Sequence, residues 1–572
     1  MSTKGSGPSF STAELVIGSS ILGVWLAGAY ALWLAAFLGG GHPDNPLGWP
    51  VTAVQDFFGP DHHRILPWHW VGAGSVTSLT PFWGTIAASL ALMAIPGVLA
   101  FGMWRGSLPR PSLLARVPKY SKWANPAHLY KLVVREAGQF RRITLGFRGP
   151  ALLAAEPGAS VLVFGPTQSG KTTSICIPSI LEWQGPVVAI SVKRDLVDQT
   201  AGWRQRKGRV QIYDPTGATN LPSIRWSPHT YCTDFDTAWK IGNWISGTID
   251  RGKSKGDSDW GHWRDAAHRL LAASFYAGAR LGAPMKEVRA WVDDGSGESL
   301  RHALSLVPDC DPTAIEVFQS IQARPERERG SCYSTTQRTL SVFLERSVAK
   351  TAEGNDMNYR EFLVDGENTL YLIAPTHEQE RLQLLFVGLL NSIIEEVYTI
   401  AQGSPTGSIP QPLLLVLDEC ANTAPIEGLP QYLATGYAQG MSLITIFQDL
   451  SQIRGRYQEL TESIVNNSRA KLFLSGIGDM QTLQLASQLV GSEQHKQWTY
   501  NSGNGTSGSS YMKSTRQMMP PDVARQLRPG SGLLLYHWMQ PAVLALRPWY
   551  QNRALQQRAG APYIPGATRV LV

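Results

Sequence analysis

Cysteine is scarce in this sequence. Its five cysteines are Cys176, Cys232, Cys310, Cys332 and Cys420; none forms Cys-x-x-Cys, and none precedes residue 170. That pattern excludes a disulfide-built secreted fold, gives no zinc signature and fits a reduced, cytoplasmic setting. Charge is sparse too, at 17% of residues, and two stretches lack it altogether: Leu15 to Leu38 and Pro81 to Trp104. Acids are all but missing from Arg105 to Arg148, where Glu136 stands against ten Lys and Arg. That segment carries +9 within a chain total of +7, so the remainder sums to −2. The basic balance marks one segment and is not a nucleic-acid footprint spread over the chain. Hydrophobic content of 43% excludes disorder, and no internal repeat suggests a solenoid.

Each uncharged stretch is long enough to span a bilayer, and the first lacks a signal-peptide cleavage pattern. Ser19, Gly23, Ala27, Ala31 and Ala35 recur every fourth residue in the first, and Pro96 predicts a kink in the second. Such a small-residue seam admits a close helix neighbour, although Ala and Gly are common in membrane helices generally. The loop between the spans has one basic residue, Arg64, against ten after the second span. The positive-inside rule then places both termini in the cytoplasm of a multi-pass membrane protein. The basic run reads first as orientation and contact with anionic membrane lipids, and second as the entrance of a nucleic-acid channel. His42, His62, His63 and His69 in the loop match no metal-ligand template.

After residue 150 the pattern becomes that of a soluble α/β domain. Ser160 to Phe164 is a short β-branched run that predicts a buried strand. Gly165, Pro166, Thr167, Gln168, Ser169, Gly170, Lys171 and Thr172 follow as G-x-x-x-x-G-K-[ST], and an apolar helical stretch comes next. Strand, glycine loop and helix are the context a phosphate-binding loop requires. The glycines let successive N–H groups turn inward as a nest for phosphate oxygens, and the helix N-terminus adds its dipole. Lys171 can reach the β- and γ-phosphates, Thr172 can bind Mg²⁺, and Thr173 completes the lining. The cofactors expected are therefore ATP and Mg²⁺.

The second half of such a site is an acidic strand end. Leu413 to Leu417 reads as a buried parallel strand that delivers Asp418 and Glu419 at its C-terminal end, where ligands gather in open α/β sheets. Asp418 would complete the Mg²⁺ shell, and Glu419 would polarise an attacking water. The other reading of Glu419 is a solvated strand end. Ser442 to Phe447 is a further strand, and the Gln448 behind it could reach γ-phosphate or cap a helix. Strands are also predicted at Pro186 to Val192, Arg209 to Tyr213, Thr369 to Pro375 and Ala470 to Leu474. With helices between them they predict a parallel sheet covered on both faces. Residues 229–365 show helical periodicity instead, as in His262 to Leu281 and Tyr333 to Lys350, after a Gly/Lys/Ser/Asp loop at 251–259. Residues 501–510 read as a flexible loop by composition, and Gly532 to Tyr536 with Ala542 to Leu546 as a closing antiparallel pair.

Taken together, these features resemble type IV secretion coupling proteins, the TraG/TraD group of conjugation ATPases, over about residues 13–550. The resemblance rests on the two spans, the Gly165–Thr172 loop and the helical insertion. It also rests on Leu-Val-Leu-Asp-Glu at 415–419, the run from Ala434 to Ile453, Asn466-Asn467-Ser-Arg-Ala-Lys471, and Arg516 to Asp522. It implies a RecA-like P-loop ATPase with an all-alpha insertion, forming a homo-hexamer at the inner membrane. Such a motor passes relaxase-bound DNA or effector proteins to a type IV secretion channel. Two departures stand out: Ser191-Val192-Lys193 where relatives often have Asp-x-Lys, and Gly436-Tyr437 where many carry Gly-Arg, a candidate arginine finger. Arg469 is the first choice to replace that arginine, with Arg454 and Arg456 behind it. The competing readings are an FtsK/HerA-like DNA translocase, which would need a winged-helix module not expected after residue 550, and an ATP-dependent docking receptor for proteins only.

The expected division is a cytoplasmic tail at 1–12, a first transmembrane helix at 13–38, an external loop at 39–80 and a second helix at 81–104. A basic juxtamembrane linker follows at 105–150. The ATPase domain occupies 151–228 and 366–552 around an all-alpha domain at 229–365, with a C-terminal tail at 553–572.

Overall fold

The computed structural model describes residues 121–249, 260–503 and 506–566, together with 30–38, 40, 83, 85 and 87. The first span before residue 30, the 39–80 loop and the second span lie almost wholly outside those residues, as does the 251–259 loop. Within the first span, residues 30–38 are helical, with Trp33 stacked against Tyr30 and Phe37. The chain divides into two compact units, Met1–Arg116 and Val117–Val572, and the second holds everything described below.

Fourteen strands are described. In chain order they are β1 (Val133–Val134), β2 (Thr144–Arg148), β3 (Ala151–Ala154), β4 (Val161–Phe164) and β5 (Val187–Ser191). Next come β6 (Val210–Tyr213), β7 (Thr369–Ile373), β8 (Leu413–Leu417), β9 (Met441–Phe447) and β10 (Ala470–Leu474). Last are β11 (Ser492–Gly503), β12 (Thr506–Gln517), β13 (Ser531–Tyr536) and β14 (Ala542–Ala545). Twelve of them form one sheet in the order β1-β3-β2-β14-β13-β10-β4-β9-β8-β5-β7-β6. From β10 to β6 every pairing is parallel. Among them β4 and β8 are apolar without a break because each faces two cores. Leu162 and Phe164 enter one hydrophobic cluster and Val161 and Val163 the other; Leu413, Leu415 and Leu417 alternate with Leu414 and Val416 in the same way.

The sheet is not parallel throughout: the antiparallel pair expected at Gly532 to Tyr536 and Ala542 to Leu546 is present as β13 and β14, and further antiparallel strands join it. Beyond β10 it continues through five antiparallel strands. Two of these, β1 and β2, lie inside the segment expected as a linker up to residue 150, and β3 starts directly after it, so that expectation is corrected from about Pro126 onward. The basic residues there serve partly as struts. Arg142 donates to the carbonyls of Lys131, Ala154 and Ala155, each at 2.7 Å, and Arg148 to that of Val543 at 3.1 Å. Strands this short carry no readable alternation.

Between β6 and β7 the described residues are helical or irregular. Trp260–Leu281 is the hub, with Phe235–Ser246, Pro312–Gln322 and Glu326–Leu340 packed against it. Its buried face is largely alanine (Ala266, Ala267, Ala272, Ala273, Ala277), which lets neighbours approach closely. These residues share one hydrophobic cluster with a face of the sheet. The single helix expected over Tyr333 to Lys350 is interrupted. It ends at Leu340, a 3₁₀ turn covers Ser341–Leu344, and Glu345 is extended (φ −75°, ψ 130°). The break turns the Glu345 carboxylate toward Arg381 and the Ser347 hydroxyl.

Two further expectations are corrected. Residues 501–503 and 506–510 belong to a twelve-pair antiparallel ribbon, β11 with β12, and do not form a loose loop. The tail from 553 is anchored: Arg553–Ala559 is a helix, and Ala561 lies so close to Gly202 that no side chain would fit there. Gln205 exchanges two hydrogen bonds with the Ile564 backbone. One described helix, Thr376–Gln402, is long and apolar enough to cross a membrane, but it is largely buried and packs on Phe235–Ser246 as a core helix.

Candidate active site

The parallel strands end together on one edge of the sheet. Phe164 of β4 lies between Phe447 of β9 and Phe473 of β10, and Leu417 of β8 is the register partner of Thr445. The segments that leave these strands are Gly165–Lys171, Asp418-Glu419, Gln448-Asp449 and Ser475. The register alone therefore gathers all but one of the expected site residues.

The loop closes by local geometry. Gln168 (φ 64°) and Gly170 (φ 88°) take left-handed backbone. Gly165 cannot carry a side chain: a Cβ would stand 2.5 Å from Ser169 Oγ and 3.2 Å from Leu474 Cβ. Ser169 Oγ donates to the Pro166 carbonyl at 2.8 Å. Lys171 is buried and bends back over its own loop, donating to the carbonyls of Gly165 (3.0 Å) and Pro166 (3.2 Å). Thr173 Oγ1 donates to the Gly170 carbonyl at 3.4 Å. The helix that follows starts with a π turn, Thr172–Cys176, before becoming α over Ile177–Glu182. Turns of this kind recur at functional sites.

Thr172 joins the two halves. Its Oγ1 donates to Asp418 Oδ2 at 3.0 Å, across 246 residues of sequence. Asp418 is buried, and its other oxygen, Oδ1, has no partner. Burial pushes this carboxyl up to about 6 from an ordinary 3.8, against the Thr172 hydrogen bond and the Lys171 charge, which favour ionisation. A hydroxyl and a carboxylate with one oxygen unspent suit a hard divalent cation. Mg²⁺ in particular binds through one or two protein oxygens and takes its other ligands from phosphates and water. Among the described residues no cluster of three His, Cys, Asp or Glu offers a different kind of metal site.

Glu419 adopts left-handed backbone (φ 59°, ψ 48°), uncommon for a residue with a Cβ. Its Oε2 accepts from Gln379 Nε2 at 3.3 Å. Gln379 is buried at the start of Gln379–Gln402, just beyond β7, and Gln383 on the same helix donates to the Asn422 carbonyl at 2.8 Å. The sequence reading missed Gln379. The available signal was its place after the C-terminal end of a parallel strand, in the polar run Thr376-His-Glu-Gln379. Gln448 follows β9 on the same edge. Its backbone N–H is held by Gln452 Oε1 at 2.8 Å, and Asp449 caps the next helix.

Arg469 is the exception. It precedes β10, whose first residue Ala470 pairs with Val161, so it stands at the opposite end of the strands from the loop. Its guanidinium meets Glu156 Oε2 at 3.0 Å. The exposed ring of Tyr437 lies at that same end, against Gly158. Arg454 is held by Gln481 Oε1 at 2.5 Å.

Comparison with known proteins gives a consistent result. Residues 124–568 match the family described as type IV secretory system conjugative DNA transfer. The conjugal transfer protein TraG of Escherichia coli is 23% identical over 453 residues, 70% of this chain and 69% of TraG. The unbound bacterial conjugative coupling protein TrwBdeltaN70 superposes with a TM-score of 0.57 at 17% identity, covering 76% of this chain and 94% of its own. The plasmid coupling protein TrwB in complex with ADP and Mg²⁺ gives a TM-score of 0.51 at 16% identity, covering 68% and 85%.

Proposed function

The chain belongs to the type IV secretory system family of conjugative DNA transfer proteins, and from that premise we propose that it is a membrane-anchored ATPase. It couples ATP hydrolysis to delivery of relaxase-bound DNA, or of effector proteins, into a type IV secretion channel. The observation that carries this reading is the Thr172–Asp418 hydrogen bond, which ties the phosphate loop to the acidic strand end. ATP and Mg²⁺ are the ligands such an edge suits, and a TrwB structure was obtained with ADP and Mg²⁺.

Each residue has a role in that scheme. The loop from Gly165 to Thr173 binds the phosphates, and Lys171 leaves its own carbonyls to neutralise them. Thr172 and Asp418 hold the cation, whose chemistry is neutralisation of phosphate charge. Glu419 takes the proton from the attacking water, Gln379 fixes the rotamer from which it does so, and Gln448 orients that water. Arg469 acts on the site of a neighbouring copy in a ring of six. The uncharged spans anchor that ring in the inner membrane with both termini in the cytoplasm.

The test is ATP hydrolysis by the purified full chain in detergent, with and without single- or double-stranded DNA. Mg²⁺-dependent hydrolysis stimulated by DNA is expected. Hydrolysis indifferent to DNA would assign the protein-only role, and no hydrolysis under any condition would overturn the motor reading.

A further inference from the structure

The helix Gln379–Gln402 meets two different parts of the chain within its first turns. On a helix, residues three or four apart share a side and residues two apart do not. Gln379 and Gln383 therefore share a side, and that side grips the acidic turn. Gln379 Nε2 donates to Glu419 Oε2 at 3.3 Å, and Gln383 Nε2 donates to the Asn422 carbonyl at 2.8 Å. Arg381 points elsewhere. Its Nε donates to Glu378 Oε2 at 2.7 Å, and its Nη1 donates to Glu345 Oε2.

Glu345 belongs to the helical segment. It stands at the break between the 3₁₀ turn Ser341–Leu344 and the helix Arg346–Thr351. Its second oxygen accepts from Ser347 Oγ at 2.7 Å. The hydroxyl and the Arg381 guanidinium hold this carboxyl below its ordinary 4.5, so the pair is charged at neutral pH. The Arg381 and Glu345 side chains are 36% and 40% exposed. An ion pair that open adds little to stability. What it fixes is position. The first N–H groups of a helix have no intrahelical partner, and no side chain caps this one. Where the first turn sits is thus left to the side chains that leave it.

We propose that Arg381 is a positioning residue for ATP hydrolysis: its ion pair with Glu345 holds the first turn of Gln379–Gln402 against the helical segment, and that turn aims Gln379 at Glu419. A displacement of the helical segment at Glu345 then reaches the hydrolytic carboxylate through a single helical turn. The inference rests on the ATPase reading and names the contact by which the helical segment acts on its site. A second ion pair joins the same helix to the helical segment, Lys240 with Glu395, but it lies in the C-terminal half of the helix, away from Glu419. It supplies the control.

The test is steady-state ATP hydrolysis by the full chain in detergent. Glu345→Gln and Arg381→Gln should each lower kcat roughly three- to fivefold, the scale of one half-exposed ion pair, with KM for ATP unchanged. The double variant should be no slower than the slower single one. Neither substitution should slow Gln379→Leu further, because the last link is then already gone. Lys240→Gln should hydrolyse ATP as the parent does. Losses that multiply with that of Gln379→Leu would overturn the proposal, as would an equal loss in Lys240→Gln or parent-like kcat in both ion-pair variants. Amide hydrogen exchange reads the same link without turnover. The N–H groups of Asn422 and Thr423 donate to the Glu419 carbonyl at 3.0 and 3.1 Å, and they should exchange faster in Glu345→Gln and Arg381→Gln but not in Lys240→Gln. Unchanged exchange in the ion-pair variants would overturn the proposal. If the parent never hydrolyses ATP, the motor reading fails, and exchange alone then decides whether Arg381 holds the acidic turn.

Discussion

Gln379 Nε2 stands 3.3 Å from Glu419 Oε2, and it connects the helix after β7 to a carboxylate held in left-handed backbone. Nothing else in the described structure reaches that carboxylate from the neighbouring helix. A glutamic acid placed to accept a proton from water needs a fixed rotamer, and a neutral amide donor supplies one without adding charge. Gln379→Leu should therefore lower kcat for ATP roughly tenfold or more while leaving nucleotide affinity unchanged. Equal losses in affinity and kcat would reduce Gln379 to a packing residue.

The loop and the strand end should separate on mutation. Lys171 contacts only loop carbonyls in the described structure, so Lys171→Ala should abolish transfer yet leave the protein in the membrane fraction. Glu419→Gln keeps the shape and removes the base; it should bind ATP normally and hydrolyse it some 10²–10⁴-fold more slowly. Equilibrium binding of a fluorescent ATP analogue distinguishes the two. Loss of binding by Glu419→Gln would show that the left-handed turn, not the carboxylate, is what matters there.

The helical segment carries a pH dependence of its own. His229 Nε2 lies 2.8 Å from the Ala283 carbonyl, which can only accept, so the ring proton is on Nε2 and Nδ1 faces the Ser227 hydroxyl at 2.8 Å. Burial holds this imidazole below its ordinary 6.5. The unfolded chain therefore takes up the proton first, and stability present above about 6.5 is lost as pH falls below it. The Asp418 carboxyl, raised to about 6, works in the opposite sense. The informative quantity is thus the difference between parent and variant at each pH. His229→Gln can still donate to Ala283 but does not titrate, so its melting temperature should fall less steeply than the parent's on acidification. Parallel curves would refute the assignment.

What was legible in the sequence follows from burial. Strands β4, β5, β7, β8, β9 and β10 are buried almost throughout and rich in apolar residues, so their existence and the residues at their ends could be read directly. The pairing of Thr172 with Asp418 followed from two motifs whose chemistry demands each other. Strands β1 to β3 were hidden because runs of two to five residues are too short to show a period of two. The ribbon was hidden because Ser, Gly and Asn at 501–510 signal looseness by composition. The dipeptide Asn504-Gly505 between its strands was the better clue, since it favours a tight hairpin turn. Gln379 could not be singled out because a buried amide has no motif.

The last prediction concerns the charge that Tyr437 cannot supply. A positive group on γ-phosphate in the transition state is worth on the order of 10³–10⁵ in rate, and in ring motors it often comes from the next subunit. Relatives that carry Gly-Arg would present it where Gly436-Tyr437 stands here. The Tyr437 ring touches Gly158, and two residues earlier Glu156 pairs with Arg469 at 3.0 Å. Arg469 therefore shares the end of the sheet where the missing arginine would have been. That end lies a strand's length from the Gly165–Thr172 loop, so Arg469 does not reach that loop within its own chain. Arg469→Ala should lower hydrolysis at least a hundredfold. Mixing Arg469→Ala with Lys171→Ala subunits should restore part of it, because some interfaces then pair an intact loop with an intact arginine. Glu156→Gln separates the roles: a structural ion pair would make it as damaging as Arg469→Ala, whereas a trans-acting arginine should tolerate it. Full activity of the Arg469→Ala protein alone would remove this residue and leave Arg454 and Arg456 to be tried in the same mixing design.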